Sequence, residues 1–177
     1  MARIRLYLRP TTKPHNYIFF RPDGSTGSIE GLRLRAFVRF LGQVDISTDD
    51  GKAAAFPECV VDTGSFLTII PENIWRHFLP GVVTPLPFHP STVALHRNIT
   101  IAGGTFPYEL GELVIPLRDQ SGGAMDVTVV AKLTRDGGSL PIPLTFGLRG
   151  GVLDGRKLHA DPDPTTQYGQ SWILEDP

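Results

Sequence analysis

The chain has 177 residues, the length of one ordinary domain, and 41% of them are hydrophobic, which is enough to fill one core. Its 17 Lys and Arg against 18 Asp and Glu give a net charge of −1, which argues against a polycationic nucleic-acid binder and against an acidic disordered chain. The 19 glycines and 16 prolines leave little room for long helices, so we expect an all-β fold with many turns.

Strand patterns run through most of the chain. Residues 3–9 alternate arginine with apolar residues, which is the period-2 pattern of a half-buried strand. The turn signal Pro22-Asp23-Gly24 ends a second β-prone run. The same criteria predict strands at 3–9, 16–21, 31–40, 53–61, 66–70, 98–102, 106–117, 125–133, 141–146 and, as a last edge strand, 172–174.

Two short helices are predicted between these strands. Pro71 opens the first, an acidic Glu72 lies in its first turn, and Pro80-Gly81 follows its end at Phe78. The second is expected within 149–157, and residues 161–169 are expected to form an extended loop. We find neither an internal repeat nor a linker, so we expect one domain.

The cysteine count and the N-terminal sequence indicate the cellular compartment in which the protein is expected. Cys59 is the single cysteine, so an intrachain disulfide and a multi-cysteine zinc site are both excluded, and we expect it to be a small buried residue. Arginines are spaced through the first ten residues, which is not the pattern of a signal peptide, and no window has the ~18 apolar residues of a membrane span. We expect a cytoplasmic protein with no membrane contact.

Basic residues are concentrated near the N-terminus. The first 43 residues have a net charge of +6 and the remainder −7. We interpret this as basic strand faces that lie beside acidic ones or face water. The alternative is a polyanion-binding β domain, but aromatic side chains are not interleaved as a stacking platform requires, so nucleic acid is not an expected partner.

The most informative stretch places one acid between two apolar, β-branched runs. Asp62 follows Val60-Val61, and residues 66–70 continue the apolar pattern. A carboxylate in such surroundings is costly to desolvate unless backbone N–H groups hold it. Gly64 has no Cβ and lets a backbone amide approach the acid closely, and Thr63 and Ser65 supply short hydroxyls. The alternative is an Asx-type turn that only caps a strand.

Val60-Val61-Asp62-Thr63-Gly64-Ser65-Phe66-Leu67 resembles the signature of aspartic peptidases of the single-domain, retropepsin-like kind. A second feature of that family, a pair of apolar residues before a glycine, is matched in part by Thr145-Phe146-Gly147. Leu148 stands where retroviral members tend to carry arginine, so the arginine's dimer-stabilising role is not carried over. The resemblance covers roughly residues 31–158. It divides the chain into an N-terminal β extension packed on the core, 1–30, and a peptidase domain, 31–177.

The resemblance implies a fold and a mechanism. The fold would be an all-β, retropepsin-like acid-protease barrel with one or two short helices. Because the chain has a single Asp-Thr-Gly, the two aspartates of the mechanism would be Asp62 from each subunit of a homodimer. The pair would share one proton and activate a water that attacks the peptide carbonyl, an arrangement that mildly acidic pH favours. No metal and no organic cofactor is implied.

The resemblance also assigns roles to further residues. Thr63 would hydrogen-bond across the dimer, the Gly64 amide would steady Asp62, and Ser65 would complete the active-site loop. A hairpin that closes over a peptide or protein substrate is expected at Ile101, Ala102, Gly103, Gly104 and Thr105, whose glycines could also mark a simple turn. An apolar substrate pocket is expected from Phe66, Phe146 and Gly147.

Other chemistries have weaker signals. His89 and His96 lie seven residues apart without a third ligand nearby, so a metal site is not expected. The glycine-rich stretch 147–155 lacks the Gly-Lys-Ser/Thr ending of a phosphate-binding loop, and Ser65 lacks the Gly-x-Ser-x-Gly elbow of a nucleophile. A non-catalytic, retropepsin-like module for dimerisation or peptide binding stays open as the alternative to an enzyme.

Overall fold

The computed structural model describes residues 2–10, 16–38, 46–47, 53–54, 58–62, 64–91, 97–101, 103–119, 121–139, 144–147, 149–150 and 154–177. Within these residues the chain is predominantly β, which confirms the all-β prediction. The strands are β1 (Arg3–Pro10), β2 (Asn16–Phe20), β3 (Thr26–Glu30), β4 (Leu32–Val38), β5 (Ile46–Ser47), β6 (Ala53–Ala54), β7 (Glu58–Val61), β8 (Thr68–Ile70), β9 (Thr84–Leu86), β10 (Asn98–Ile101), β11 (Gly104–Arg118), β12 (Ala124–Thr134), β13 (Leu144–Phe146), β14 (Lys157–Pro162) and β15 (Gln170–Glu175), and the helix is α1 (Glu72–Phe78).

Most of these strands belong to one sheet. Its order is β10-β11-β12-β8-β13-β7-β4-β1-β15-β14, with β9 paired to β11. The pairs β2-β3 and β5-β6 form two separate two-stranded sheets. The large sheet is not closed, with β10 and β14 at its two ends, although an additional pairing joins β11 to β4. The closed barrel implied by the resemblance is therefore not shown by the described strands.

The long hairpin of β11 and β12 supplies much of the core. Its inward positions alternate with outward ones along both strands, as expected for a sheet with one face buried. Leu113, Ile115 and Leu117 on β11 are buried, while Glu112 before them and Val114 between them are exposed. The inward side chains of β12 complete this layer: Met125, Val127, Val129, Ala131 and Leu133. The predicted strands at 106–117 and 125–133 are thus confirmed, each slightly longer than expected.

The C-terminal strands differ from the prediction. We expected 172–174 at the edge of the sheet and 161–169 as a loop, but β15 lies between β1 and β14, so the edge assignment is wrong. β14 runs antiparallel to β15 with Leu158 opposite Leu174. The segment Lys157–Pro162 contains histidine, aspartate and proline, which disfavour a strand, so its pairing with β15 outweighs its own propensity. β3, β5 and β9 were not predicted either.

The predicted helices have different outcomes. The first is confirmed as α1, which Pro71 precedes as the N-cap residue. For the second, 149–150 and 154–155 are turns and β14 begins at Lys157, while residues 151–153 lie outside the described residues. No helix in the described part of the chain is long and apolar enough to cross a membrane.

Two buried acids attach α1 to the end of β12. The backbone N–H of Glu72 donates to Oδ1 of Asp136 at 3.1 Å, and the Thr134 hydroxyl donates to the same oxygen at 2.7 Å. The Glu72 carboxylate in turn accepts from the Gly137 N–H and pairs with Arg76. Because each of these buried acids has partners, the helix that follows β8 is held in one position relative to the sheet.

The N-terminal strand β1 is part of the large sheet. Its first half pairs with β15, where Arg3 lies opposite Glu175, and its second half pairs with β4, where Arg9 lies opposite Arg33. The expected pairing of basic with acidic positions therefore holds for Arg3, whereas Arg9 faces another basic residue. The strands β2 and β3 pair only with each other. The boundary predicted at residue 30 stays a prediction.

Asp119 connects the β11–β12 turn to β1. Its Oδ2 accepts from the Arg5 N–H at 2.9 Å, and its Oδ1 accepts from the Ser121 N–H at 2.9 Å and the Gly123 N–H at 2.8 Å. Burial raises the pKa of Asp119, but these hydrogen bonds outweigh burial, so the pKa lies below the usual 3.8. An ionised Asp119 therefore stabilises the junction between the hairpin and the N-terminal strand.

We expect Asp119→Ala to lower the free energy of unfolding by about 2 kcal/mol, because three backbone N–H groups, of Arg5, Ser121 and Gly123, lose a charged acceptor. Urea denaturation measures this loss. Asp126→Ala is the matched control, because Asp126 is exposed and paired only at the surface with Arg118, so its removal should cost less than about 0.5 kcal/mol. Equal stability of Asp119→Ala and the wild type would contradict this role.

The same contact predicts a pH dependence. The pKa of Asp119 is lower in the folded chain than in the unfolded one, so its stabilisation is complete above the unfolded value of 3.8. It is lost as the pH falls through the folded value. The stability difference between the wild type and Asp119→Ala should therefore shrink below about pH 4, which urea titrations at a series of pH values would measure.

Candidate active site

Asp62 begins the loop that follows β7. Val60 and Val61 are buried, whereas Asp62 itself is exposed. The neighbouring Cys59 is fully buried, and its thiol lies 3.3 Å from the Ala36 carbonyl oxygen, which confirms the expected small core residue. The buried residues of β7 therefore fix the start of the loop, and the Asp62 side chain lies at the surface.

The loop holds one oxygen of the Asp62 carboxylate. The Gly64 N–H donates to Oδ1 at 2.9 Å, and the Ser65 N–H donates to the Asp62 carbonyl oxygen at 3.1 Å. The Ser65 hydroxyl donates to the Leu67 carbonyl oxygen at 2.8 Å and so ties the end of the loop. A Cβ on residue 64 would lie 3.2 Å from Oδ1, closer than most Cβ contacts, so a larger residue there would require the carboxylate to shift. Thr63 lies outside the described residues.

The strand β13 passes between the two strands that flank this loop. It is parallel to β7, with Thr145 opposite Val60, and antiparallel to β8, with Thr145 opposite Ile69. Its last residue, Phe146, accepts a hydrogen bond from the Asp62 N–H at 2.9 Å. The start of the Asp62 loop is therefore hydrogen-bonded to a strand that is distant in sequence.

Gly147 lies where the backbone of β13 meets the end of the loop. A Cβ at this position would come within 2.5 Å of the Leu67 carbonyl carbon, so the backbones approach more closely than any other residue allows. One step further, the Arg149 N–H donates to the Phe66 carbonyl oxygen at 2.9 Å. The second motif of the resemblance, Thr145-Phe146-Gly147, thus contacts the first.

The residues expected to form a pocket differ in exposure. Phe66 is 69% exposed and lies beside the loop, whereas Phe146 is 1% exposed and belongs to the core cluster. Phe66 could contact a bound molecule directly, while Phe146 supports the loop from the interior. Gly147 is buried between them.

A β-hairpin joins β10 and β11 at the position where a hairpin that closes over a substrate was expected. Ile101 pairs with Gly104, Gly103 has a left-handed backbone (φ +82°), and the hydroxyls of Thr100 and Thr105 lie 3.0 Å apart. Ala102 lies outside the described residues. Within the described chain, no hydrogen bond joins this hairpin to Asp62, so its role as a cover over the loop stays a prediction.

Sequence reasoning missed Thr68 as a site residue. This threonine is fully buried, and its hydroxyl lies 3.5 Å from the Gly147 N–H, the long end of the hydrogen-bond range. A polar residue within the apolar run Phe66 to Ile70 is the signal that could have identified it. Arg149 contributes only its backbone, so no side-chain pattern indicates it.

A cluster of aromatic and charged side chains lies at the base of the β10–β11 hairpin. Lys132 Nζ lies 4.9 Å from the centroid of the Tyr108 ring, and Phe88 packs edge-on against the same ring. Burial raises the pKa of Tyr108 and lowers the pKa of Lys132. These contacts stabilise the base of the hairpin.

One of the two histidines considered as metal ligands in the sequence analysis lies within the described residues. His89 is exposed and its Nδ1 contacts the Ser91 hydroxyl at 2.7 Å, while His96 lies outside the described residues. In the described part of the chain, no three His, Cys, Asp or Glu side chains are grouped so that they could hold a metal ion.

Comparison with known proteins adds no family to these observations. No protein-family model matches the chain, and neither a curated protein sequence nor a solved structure shows significant similarity to it.

We expect Gly147→Ala to lower the free energy of unfolding by at least about 2 kcal/mol, because the added Cβ would force β13 away from Leu67. Gly155→Ala is the control: Gly155 has φ +77° and open space around it, so it should cost only about 1 kcal/mol of backbone strain. Thermal and urea denaturation of both variants measure the difference. A Gly147→Ala chain no less stable than Gly155→Ala would contradict the close approach.

Proposed function

We propose that the chain is a retropepsin-like aspartic endopeptidase that hydrolyses peptide bonds in peptide or protein substrates, with Asp62 as its catalytic residue. The observation that carries the proposal is the passage of β13 between β7 and β8, beneath an exposed carboxylate that a backbone N–H holds. An Asx turn that only caps a strand has no need of a distant segment to support it. The proposal therefore rests on the two motifs in contact, in addition to the Asp-Thr-Gly sequence.

The geometry at Asp62 suits acid–base chemistry. The Gly64 N–H donates to Oδ1 and orients the carboxylate, and the exposed side chain is accessible to water and substrate. Among the described residues, the Gly64 N–H is the one hydrogen-bond donor to the Asp62 carboxylate. The second oxygen, Oδ2, can therefore face a water or a second carboxyl group. A general base must lie within hydrogen-bond reach of the proton that it takes, and an exposed Oδ2 meets that condition.

A second carboxyl group would come from a second copy of the chain. Under the proposal, a two-fold axis brings the two Asp62 loops together, and the paired carboxyls share one proton because two adjacent negative charges repel. The ionised carboxylate takes a proton from the water while the oxygen of that water bonds to the substrate carbonyl carbon. The protonated carboxyl donates its proton to the carbonyl oxygen, which gives a tetrahedral intermediate with two hydroxyls. The amine then leaves with the proton that the first carboxyl took from the water, and the second carboxyl regains its proton as the carbonyl of the product acid re-forms.

Apolar groups around the loop would bind the substrate. Phe66 presents an exposed ring beside Asp62, and the β10–β11 hairpin could close over the bound chain. Water would be excluded on closure, which strengthens the electrostatic interactions of the paired carboxyls. Under the alternative, a peptide-binding module, the same surface would bind a peptide without hydrolysing it.

We expect Asp62→Asn to reduce peptide-bond cleavage at least about 1,000-fold, because an amide cannot take the proton from water. The assay incubates the purified chain with an unfolded protein substrate between about pH 4 and 7 and identifies new termini by mass spectrometry. The wild type should be most active at the acidic end, where the pair can hold one proton, and a statine-type inhibitor should block it.

Asp126→Asn is the matched control, because Asp126 is an exposed acid on β12, on a different strand from the loop. It should cleave as the wild type does. Sedimentation should show the same mass for the wild type and Asp62→Asn, so that a loss of activity is not a loss of assembly. Full activity in Asp62→Asn would refute the catalytic assignment, and peptide binding without cleavage by the wild type would favour the binding module.

A further inference from the structure

A backbone bridge joins the Asp62 loop, the segment between β7 and β8, to β12. At one end of the bridge the Arg149 N–H donates to the Phe66 carbonyl oxygen at 2.9 Å. At the other end the Val130 N–H on β12 donates to the Gly150 carbonyl oxygen at 2.7 Å. Arg149 and Gly150 are consecutive, so we call this pair the 149–150 bridge. It holds the loop against a strand whose inward side chains belong to the core.

Gly150 approaches β12 more closely than a residue with a side chain can. Its backbone is left-handed (φ +77°), and a Cβ on it would lie 2.8 Å from the Val130 carbonyl oxygen and 2.9 Å from Cδ2 of Leu67. The Leu67 contact is with the end of a flexible side chain, which can rotate away. The Val130 carbonyl belongs to a strand that is paired along its length with β11, so it cannot move aside. A side chain at position 150 would therefore push the bridge away from β12.

A second glycine of the same stretch shows what a simple turn requires. Gly155 has the same left-handed backbone (φ +77°), but a Cβ on it would meet no heavy atom within 4 Å. The two glycines therefore share a backbone conformation and differ in what surrounds them. At Gly155 the left-handed turn alone favours glycine, whereas at Gly150 the contact with β12 requires it as well.

The bridge and β13 hold opposite ends of the Asp62 loop. β13 holds the beginning, because the Asp62 N–H donates to the Phe146 carbonyl oxygen at 2.9 Å. The bridge holds the later part through the Phe66 carbonyl oxygen. Between these two points the Gly64 N–H donates to Oδ1 of Asp62. The direction of the carboxylate therefore depends on both ends of the loop, and Gly150 controls the second of them.

We propose that Gly150 is a positioning residue for Asp62: it lets the 149–150 bridge lie against β12, and the bridge in turn fixes the loop that directs the carboxylate. The consequence for catalysis rests on the proposed function, whereas the fixing of the loop concerns backbone hydrogen bonds alone. Gly150 belongs to neither motif of the peptidase resemblance. A catalytic group displaced by about 1 Å loses on the order of 100-fold in rate, so a small shift of the loop is enough to be measured.

We expect Gly150→Ala to lower kcat for peptide cleavage about 100-fold, because the added Cβ displaces the bridge and with it the Asp62 loop. The same cleavage assay as for Asp62→Asn measures this loss. Gly155→Ala is the matched variant: it carries the same left-handed strain without the contacts, so it should keep the kcat of the wild type.

A second substitution separates contact from strain. Asparagine adopts the left-handed conformation more readily than alanine but has the same Cβ. Gly150→Asn should therefore lose as much activity as Gly150→Ala. Wild-type activity in Gly150→Asn would show that strain alone is responsible and would overturn the contact with Val130 as the reason for the glycine.

Amide hydrogen exchange tests the bridge without any cleavage. In Gly150→Ala we expect the N–H groups of Ser65, Val130 and Arg149 to exchange at least about tenfold faster than in the wild type, with unchanged rates in the middle of the β11–β12 hairpin. A merely structural role would lower the overall stability and raise all of these rates together. The wild type alone gives a further test, which holds even if the variant fails to fold: the Val130 and Arg149 amides should have similar protection, because they open together.

The positioning proposal and the peptidase proposal can fail separately. Equal kcat values for Gly150→Ala and Gly155→Ala would overturn the positioning role and leave the peptidase proposal intact. Wild-type exchange of the Ser65 amide in Gly150→Ala, or unequal protection of Val130 and Arg149 in the wild type, would overturn the bridge itself. If the wild type cleaves no peptide, the peptidase proposal fails, and the exchange rates still decide whether Gly150 fixes the Asp62 loop.

Discussion

The passage of β13 between β7 and β8 is the constraint on which the candidate site depends. The Asp62 loop leaves one of these strands and returns to the other, so the strands that flank it are separated by a third. Two backbone hydrogen bonds join the loop to residues about eighty positions later, from the Asp62 N–H to Phe146 and from the Arg149 N–H to Phe66. The geometry of the loop therefore depends on contacts between segments about eighty residues apart, and forming such contacts costs loop-closure entropy.

The fold could be predicted where local pattern and pairing agree. The alternation in β11 and β12 indicates strand, and their long hairpin satisfies both strands at once. The prediction was wrong where pairing overrides local preference: Lys157–Pro162 has little strand propensity, but Leu158 and Ala160 find partners on β15. Sequence periodicity indicates that a strand exists and does not indicate its neighbours, so the place of β15 between two strands could not be deduced.

The site was predictable to the extent that its chemistry is local. Asp62 and Gly64 are two residues apart, and a glycine at that spacing lets a backbone N–H reach the carboxylate. The burial expected from the flanking apolar runs was wrong, because Asp62 is exposed. The role of Gly147 depends on the position of Leu67 in space, and only the resemblance indicated it before the fold was known. The contact of Gly150 with β12 was not foreseen, because a glycine-rich stretch predicts a turn without indicating which strand lies against it.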